Sequence, residues 1–114
     1  MMNEDVTKME KTEERILEVM PLVDITEDGD AVMMWFEIPG ANSGTVSIEV
    51  KERILSITAE SSLRRGGRRI RFRREFQLSD LIDVAGIKAR TQDGVLTLTL
   101  PKSDNARIHR IHVE

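Results

Sequence analysis

From Pro21 onward, apolar and polar residues alternate with a period of two, and this alternation is the strongest constraint on the fold of the chain. Successive side chains of a β-strand point to opposite faces, so a two-residue period gives each strand one apolar face. Turn sequences such as EDGD, PGANSG and QDG, rather than helical spacers, separate the alternating segments. The pattern predicts an antiparallel β-sandwich. Its seven predicted strands are PLVDITE, AVMMWFEI, TVSIEVK, ILSITAE, RRIRFRREFQL, IKARTQ and VLTLTL.

Two turns carry specific support for this interpretation. Asp93-Gly94 joins two alternating segments, and both central residues of a type I′ turn need a positive φ, which Asp tolerates and Gly adopts freely. The pair therefore predicts a tight hairpin. Pro39-Gly40 ends the second predicted strand, because proline offers no donor to a sheet ladder and glycine permits a reversal.

The ends of the chain differ from this middle part. Thr7-Lys8-Met9-Glu10 has the form of a capping box, and Pro21 halts the pattern, so residues 1–20 are expected to form an arm with a short amphipathic helix. The expected boundaries are an arm over 1–20, a sandwich domain over 21–101 and an extended tail over 102–114. The apolar stripe predicted for the helix consists of Met9, Ile16, Leu17 and Met20.

Composition excludes several function classes. A length of 114 residues allows one domain, and the absence of cysteine excludes disulfides, thiolate metal sites and a cysteine nucleophile. No GxxxxGK[ST] or GxGxxG motif is present to hold a nucleotide, and no Ser/His/Asp set stands in a convincing context. His109 and His112 point to opposite sides of an extended tail, which is poor metal geometry. We expect a cytoplasmic protein without a signal peptide, catalytic residues, metal or cofactor.

The charges are distributed unevenly. Residues 64–74 hold seven arginines and no acid, whereas residues 1–30 hold ten acids and three bases, a net charge of −7. The arginine-rich stretch nevertheless alternates: Ile70, Phe72, Phe76 and Leu78 share one face, interrupted by Arg74. A free polyanion-binding arm has no reason to alternate, so a strand is predicted from Arg68 and a turn at Gly66-Gly67. Arg74, on the apolar face, needs an acidic or carbonyl partner.

Taken in order, these segments resemble the α-crystallin domain of the small heat-shock proteins. The resemblance covers residues 21–114 and rests on PLVDITE with AVMMWFEIPG, on RREFQLS, on ARTQDGVLTLTLPK with its A-x-x-x-x-G-V-L pattern, and on the tail motif IHV at 111–113. It implies an immunoglobulin-like β-sandwich that acts in the stress response as an ATP-independent chaperone, or holdase. Such a protein binds unfolding proteins and prevents their aggregation.

The resemblance also implies that the chain forms a homo-oligomer built from dimers. The tail motif, Ile111 and Val113, would contact a groove between two strands of a neighbouring subunit by β-augmentation, since both side chains point to the same side of an extended tail. An alternative is that Ile108, Ile111 and Val113 form a strand on their own domain. The residues expected to form the floor of the groove are Val46, Ile48, Val50, Ile87 and Ala89.

The chain departs from the family pattern in its loop and its arm. Many bacterial, archaeal and plant relatives carry a strand that swaps between subunits in the loop before REFQLS, but here only SSLRRGG, residues 61–67, precedes the next strand. The dimer is therefore either strand-swapped or, as in animal members, paired edge to edge through the strand starting at Arg68. The predicted interface arginines are Arg69, Arg71, Arg73 and Arg74. The arm is short and has no aromatic residue, and the predicted client contacts are Met9, Ile16, Leu17, Met20 and Trp35.

Two other functions stay open at this point. One is an adaptor or co-chaperone of the same fold that binds one dedicated protein partner, which the short arm favours and the IHV tail opposes. The other is polyanion binding through Arg64 to Arg74, which the alternation and the acidic block oppose. We expect protein partners, and we do not expect nucleic acid or a membrane.

Overall fold

The computed structural model describes residues 15–106 and 109–114. These residues contain eight β-strands and two short 3-10 turns, at Val84–Gly86 and Asp104–Ala106. All seven predicted strands are present, and one further strand precedes them. In chain order the strands are β1 (Ile16–Val19), β2 (Val23–Glu27), β3 (Ala31–Glu37), β4 (Val46–Lys51), β5 (Ile54–Arg65), β6 (Arg68–Gln77), β7 (Lys88–Gln92) and β8 (Val95–Pro101).

The strands form two four-stranded sheets, so the predicted β-sandwich is confirmed. One sheet has the order β1-β6-β5-β4, and the other has the order β2-β3-β8-β7. Every pairing is antiparallel except that of β1 with β6, which is parallel. At one side of the sandwich, β4 and β7 are the last strands of their sheets. At the other side, β1 and β2 are.

The core lies between the two sheets and follows the alternation of the sequence. The burial of β8 alternates residue by residue, with Leu96, Leu98 and Leu100 almost fully buried. Phe36 of β3 is fully buried and meets the ring of Phe76 edge-on, with 5.8 Å between the ring centroids. Each such side chain contributes roughly 1.5–3 kcal/mol through burial alone. The fully buried residues thus account for much of the attraction between the sheets.

The predicted helical arm is wrong where it can be checked. Ile16–Val19 is a strand, and its backbone pairs with Arg69–Phe72 of β6. Along this strand Ile16 is exposed and Leu17 is half-buried, so the two residues do not share the apolar stripe that a helix would give them. Pairing with a strand edge satisfies the backbone polar groups of a segment too short to hold a helix by itself. The rest of the predicted helix, including Thr7-Lys8-Met9-Glu10, lies outside the described residues.

The hairpin turns lie at the Asp-Gly and Gly-Gly pairs at which the sequence predicts them. Asp93 and Gly94 have φ values of 51° and 75°, as the predicted type I′ turn requires. Gly66 and Gly67, with φ values of 57° and 76°, form the turn between β5 and β6. The stretch SSLRR, predicted to be part of a loop, instead continues β5 up to this turn. The paired strands on both sides extend the hairpin because each satisfies the backbone of the other.

One turn has positive φ values at residues other than glycine. Glu52 and Arg53, between β4 and β5, have φ values of 51° and 63° although neither is glycine. The Arg53 guanidinium holds this strained position by donating hydrogen bonds to the carbonyl oxygens of Ser79, at 2.5 Å, and Ile82, at 2.6 Å. It therefore fastens the segment after β6 to the β4–β5 turn.

The β2–β3 turn is organised by Asp28. Its carboxylate accepts hydrogen bonds from the backbone N–H groups of Asp30, at 2.7 Å, and Ala31, at 2.9 Å. These bonds, with a smaller contribution from the charge of Lys102, lower the pKa of Asp28 below its ordinary value of 3.8. A lowered pKa means that the carboxylate stabilises the folded turn above that value and loses this effect as the pH falls through its folded-state pKa.

Candidate functional site

An apolar cavity of about 160 Å³ opens between the edge strands β4 and β7. Val46 and Ile48 of β4 line it from one sheet, and Ala89 of β7 and Leu96 of β8 line it from the other. The polar residues of β4 are exposed, so Val46 and Ile48, which alternate with them, point to the opposite, inner face. In the described part of the chain no strand continues either sheet beyond β4 or β7. The cavity is therefore flanked by two strand edges whose backbone groups can accept another strand.

The rim of this cavity is polar. Arg90 and Thr91 of β7 and Ser43, which precedes β4, complete the lining. Arg90 is exposed, so its positive charge is placed to attract a carboxylate at the mouth of the cavity. An extended peptide with apolar side chains and an acidic end matches this combination of floor, edge and rim.

The groove residues predicted from the sequence divide into two groups. Val46, Ile48 and Ala89 lie together around the cavity. Val50 and Ile87 are partly buried against the core and do not line it. Sequence reasoning missed Leu96, although the Asp93-Gly94 hairpin holds the signal, since its register places Leu96 opposite Thr91.

The tail leaves the domain from an anchored position. The Lys102 ammonium donates to the carbonyl oxygen of Asp28 at 2.6 Å and lies 3.5 Å from the Glu27 carboxylate. Beyond it, Ile111 and Val113 are each 85% exposed. Residues 109–114 form no strand on their own domain, and Ile108 lies outside the described residues. The two apolar side chains of the tail motif are thus available to another surface.

The arginines of β6 meet acids of their own chain. Arg71 forms a hydrogen-bonded ion pair with Glu60 of β5, with 2.5 Å between Nε and Oε1. Arg73 lies 3.8 Å from Glu18 of β1. Arg69 lies 4.0 Å from Glu60. A subunit interface at these arginines remains a prediction. β1 already pairs with the β6 edge from Arg69 to Phe72, which leaves only the rest of that edge for a strand of a partner subunit.

Arg74 lies on the apolar face of β6, as its parity predicts. Its guanidinium donates a hydrogen bond to the carbonyl oxygen of Pro21 at 3.1 Å and lies 4.9 Å from the centroid of the Phe76 ring. A carbonyl partner and an aromatic face together make the charge tolerable in this half-buried position. The contact fastens the segment that passes from β1 in one sheet to β2 in the other.

The predicted client contacts that lie within the described residues are divided between the two sheets and the segment after β1. Ile16 and Met20 are exposed, by 41% and 68%, and Leu17 is half-buried beside them. Trp35 is half-buried in the other sheet, where it pairs with Asp24 and Thr97. Met9 lies outside the described residues. A role in client binding remains a prediction for all five residues.

The described residues hold neither a metal-binding cluster nor a membrane-spanning helix. Over residues 15–106 and 109–114, no group of three or more His, Asp or Glu side chains is arranged to hold a metal ion. His109 Nε2 lies 2.8 Å from the carbonyl oxygen of Asp104, and both histidines are exposed. No helix in those ranges is long and apolar enough to cross a membrane.

Comparison with known proteins relates this geometry to one family. Residues 24–114 match the model of the Hsp20/alpha crystallin family. The 18 kDa antigen 2 of Mycobacterium avium is 33% identical over 106 residues, which cover 83% of this chain and 74% of that protein. The 18 kDa heat shock protein of Streptomyces albus G is 27% identical over 104 residues, or 82% and 72% of the two chains.

Solved structures show the same sandwich. A small heat-shock protein from Xylella fastidiosa, described as having a distinct high order structure, superimposes with a TM-score of 0.68 at 28% identity. The superposition covers 86% of this chain and 99% of that one. The hspA protein of Xanthomonas axonopodis gives a TM-score of 0.66 at 29% identity, over 75% of this chain and 96% of its own.

Proposed function

The chain belongs to the Hsp20/alpha crystallin family, and we propose on this basis that it is an ATP-independent holdase that assembles through its C-terminal tail. One observation carries the assembly part of the proposal. The same chain presents two exposed apolar tail residues, Ile111 and Val113, and an apolar cavity between the edges of β4 and β7. The tail offers apolar side chains, and the cavity offers an apolar surface that can cover them.

The two features are complementary in character. In an extended tail, Ile111 and Val113 lie on one side of the chain, roughly 7 Å apart. A cavity of about 160 Å³ offers an apolar site for these side chains, and a strand edge offers hydrogen bonds to the tail backbone. Glu114 at the end of the tail carries the charge that Arg90 at the rim attracts. The tail and the groove are therefore complementary in polarity and charge.

Assembly requires that the tail reach another subunit. The segment from Lys102 to Arg110 spans up to roughly 30 Å when extended, enough to reach a neighbouring copy. A single tail contact buries only two apolar side chains, each contributing roughly 1.5–3 kcal/mol at most. Several such contacts acting together in a closed oligomer add up to a stable assembly, because each one raises the local concentration of the next.

Client binding, in this proposal, uses exposed apolar surface near the start of the domain. Ile16 and Met20 lie there, together with Leu22, which is 71% exposed. Unfolding proteins expose apolar segments, and burial of apolar surface needs no nucleotide and no catalytic group. The proposed holdase therefore acts without ATP and does not transform its clients; its proposed location is the cytoplasm.

We expect the full chain to keep a heat-denatured client protein soluble at equal mass with no nucleotide added. Apolar contact with the client should reduce its light scattering during heating, and added ATP should leave the effect unchanged. Lysozyme at the same mass serves as the inert control. Unchanged client scattering would contradict the holdase. Capture of one stoichiometric partner from heat-stressed extract, in place of a heterogeneous set, would favour the dedicated adaptor.

Substitution of both tail residues, Ile111→Ala and Val113→Ala, should shift the protein from larger oligomers to dimers or monomers. The reason is the loss of the apolar side chains that would fill the groove, and the measurement is native mass spectrometry of the full chain. Ala89→Glu should have the same effect, because it places a charge in the cavity from an exposed position on β7.

The matched control for the tail variant is His112→Ala. His112 lies in the same motif, but its side chain points to the opposite side of an extended tail. We expect its mass distribution to match the wild type. If the double variant also keeps the wild-type distribution, the tail does not drive assembly.

A further inference from the structure

The two sheets of the sandwich have different outer faces. On the β1-β6-β5-β4 sheet, the two middle strands present polar side chains outward, and acids and bases meet within that face, as in the pair of Arg71 with Glu60. On the β2-β3-β8-β7 sheet, the middle strand β3 presents Met33 and Trp35 outward, because the residues that alternate with them are buried. A solvated face of an antiparallel sheet is ordinarily polar. Two large apolar side chains in its middle indicate that this face contacts another surface.

The strand register defines a row of side chains that crosses this second face from edge to edge. Asp24 of β2 pairs with Trp35 of β3, Trp35 pairs with Thr97 of β8, and Thr97 pairs with Arg90 of β7. Lys88 lies two residues before Arg90 and shares its side of β7. The face is thus acidic at its β2 edge, basic at its β7 edge and apolar between them. We call it the tryptophan face, and it comprises Asp24, Met33, Trp35, Thr97, Lys88 and Arg90.

The charges at the two edges of the tryptophan face do not neutralise each other. Asp24, Lys88 and Arg90 are exposed and form no ion pair within the described part of the chain. The strands β3 and β8 separate the acidic edge from the basic edge by three strand spacings, or roughly 14 Å. Salt largely screens exposed charges at that distance. The two edges can therefore each attract an opposite charge on a second surface.

We propose that the tryptophan face binds the same face of a second copy of this chain, related to it by a two-fold axis that runs parallel to the strands between β3 and β8. Rotation about this axis lays β3 of one copy on β8 of the other, and β2 on β7. Asp24 of each copy then faces Lys88 and Arg90 of the other copy, and Trp35 packs on Thr97. The same patch serves both copies, so every attraction occurs twice.

A second copy fits this face better than an unfolding client does. Client segments of varied sequence have no fixed charge pattern, whereas a copy of the face presents the opposite charge at each edge. The size of the face limits the affinity. Four strands of at most seven residues cover roughly 400 Å², about half of what each partner buries in a stable complex. The contact should therefore be weak by itself and form as the protein concentration rises.

The fluorescence of Trp35 reports on this contact directly, because it is the only tryptophan of the chain. Burial by a second copy should shift its emission to shorter wavelength and reduce its quenching by acrylamide as the protein concentration rises. D24K should require a roughly tenfold higher concentration, since two exposed attractions per dimer become repulsions. K88E/R90E should behave in the same way. An equimolar mixture of D24K and K88E/R90E should recover the wild-type transition, because each reversed charge then faces an opposite one.

The matched control is E49K, which changes the charge by the same amount as D24K at an exposed position on the outer face of the other sheet. Its transition should match the wild type. The series is also measured in the Ile111→Ala/Val113→Ala background, where the transition should persist because the contact uses no tail residue. Loss of the transition in that background overturns the proposal and assigns the burial to tail-driven assembly. Emission that does not depend on concentration, or a mixture that does not recover, also overturns it. So does a shift that appears only when a heat-denatured client is added, which assigns the face to clients.

The orientation of the axis is tested by cross-linking, which is specific because the chain contains no cysteine. The register places Thr26 and Lys88 at opposite ends of the row that includes Met33. Rotation about the proposed axis therefore brings Thr26 of one copy to Lys88 of the other and keeps identical positions apart. A short bismaleimide, with a reach that matches the roughly 10 Å between packed sheets, should link T26C to K88C chains in a mixture. Equal yields from either variant alone would overturn this axis.

Discussion

Substitution of Gly40 by alanine should destabilise the protein by about 3 kcal/mol, from left-handed backbone strain of about 1–2 kcal/mol, loss of a hydrogen bond of about 1 kcal/mol and a steric clash. Gly40 has a φ of +83°, a conformation that a residue with a Cβ adopts only under strain. A Cβ added at this position would overlap Ser61 Oγ and lie 2.9 Å from Leu63 Cγ. The side chain of Ser61 would have to move.

The hydrogen bonds around Gly40 explain why that movement is costly. Buried Ser61 donates through Oγ to the carbonyl oxygen of Pro39 at 2.7 Å and accepts from the Leu63 N–H at 3.0 Å. The Ser62 N–H donates to the carbonyl oxygen of Gly40 at 2.9 Å. These bonds tie β5 to the turn after β3, which belongs to the other sheet. They lie where the β5–β6 register is interrupted, between Glu60 and Arg64.

Chemical denaturation of the wild type and the Gly40→Ala variant at equal protein concentration measures the difference. The matched control is Gly67→Ala, since Gly67 has a φ of +76° but no atom within 4 Å of an added Cβ. The Gly67→Ala variant should lose only the stability that corresponds to left-handed backbone strain, about 1 kcal/mol. In a Ser61→Ala background, Gly40→Ala should cost less, because part of the clash and the hydrogen bond are already absent. Equal losses for the two glycine variants would contradict a steric origin at Gly40.

Substitution of Arg74 by alanine should destabilise the protein by about 2–3 kcal/mol, because it leaves a buried carbonyl group without its donor and removes packing under the sheet. The carbonyl belongs to Pro21, which is buried, and the donor is the Arg74 guanidinium at 3.1 Å. The same guanidinium packs 4.9 Å from the Phe76 ring centroid. The loss should be accompanied by faster hydrogen exchange in β1 and β2, which the Pro21 segment connects.

Two controls separate the contributions at Arg74. Arg74→Met keeps the volume and removes the donor, so it should recover part of the stability lost in Arg74→Ala. Arg73→Ala removes the neighbouring arginine, which is exposed, and should cost no more than about 0.5 kcal/mol. Denaturation midpoints for Arg73→Ala and Arg74→Ala that coincide would show that the Pro21 contact contributes nothing measurable.

The family resemblance placed the candidate groove between two strands, and the alternation of the sequence indicated which of their residues form its floor. Val46 and Ile48 were assigned to one face of a strand because their neighbours are polar, and they line the cavity. Ala89 lines it too, whereas Val50 and Ile87, which the same alternation selected, do not. Leu96 was missed because it reaches the cavity from β8, the neighbour of β7 in the same sheet, and the hairpin register that pairs it with Thr91 is not visible in the alternation within one strand.

For the arginine-rich strand, the sequence predicted the type of partner that an arginine needs but not the residue that supplies it. Parity placed Arg74 on the apolar face and required an acidic or carbonyl partner. The partner is Pro21, 53 positions away along the chain, and no local pattern points to it. Likewise, alternation predicted the exposed row of Arg69, Arg71 and Arg73 but not the acids of the same chain that lie beside it, Glu60 and Glu18; a subunit interface at this row stays a prediction.

The sequence alone determined the sandwich, since period-two alternation and turn residues act locally and leave one apolar face on each strand to be buried. The hairpin at Asp93-Gly94 and the turn at Gly66-Gly67 follow from the same local rules. Only the tertiary structure decided the state of Ile16–Val19, where an available β6 edge outweighs local helix signals. It alone also showed the contact of Gly40 with Ser61 and the row of side chains that crosses the tryptophan face. These features depend on which edges and turns come together in space, and that is settled by packing between distant segments.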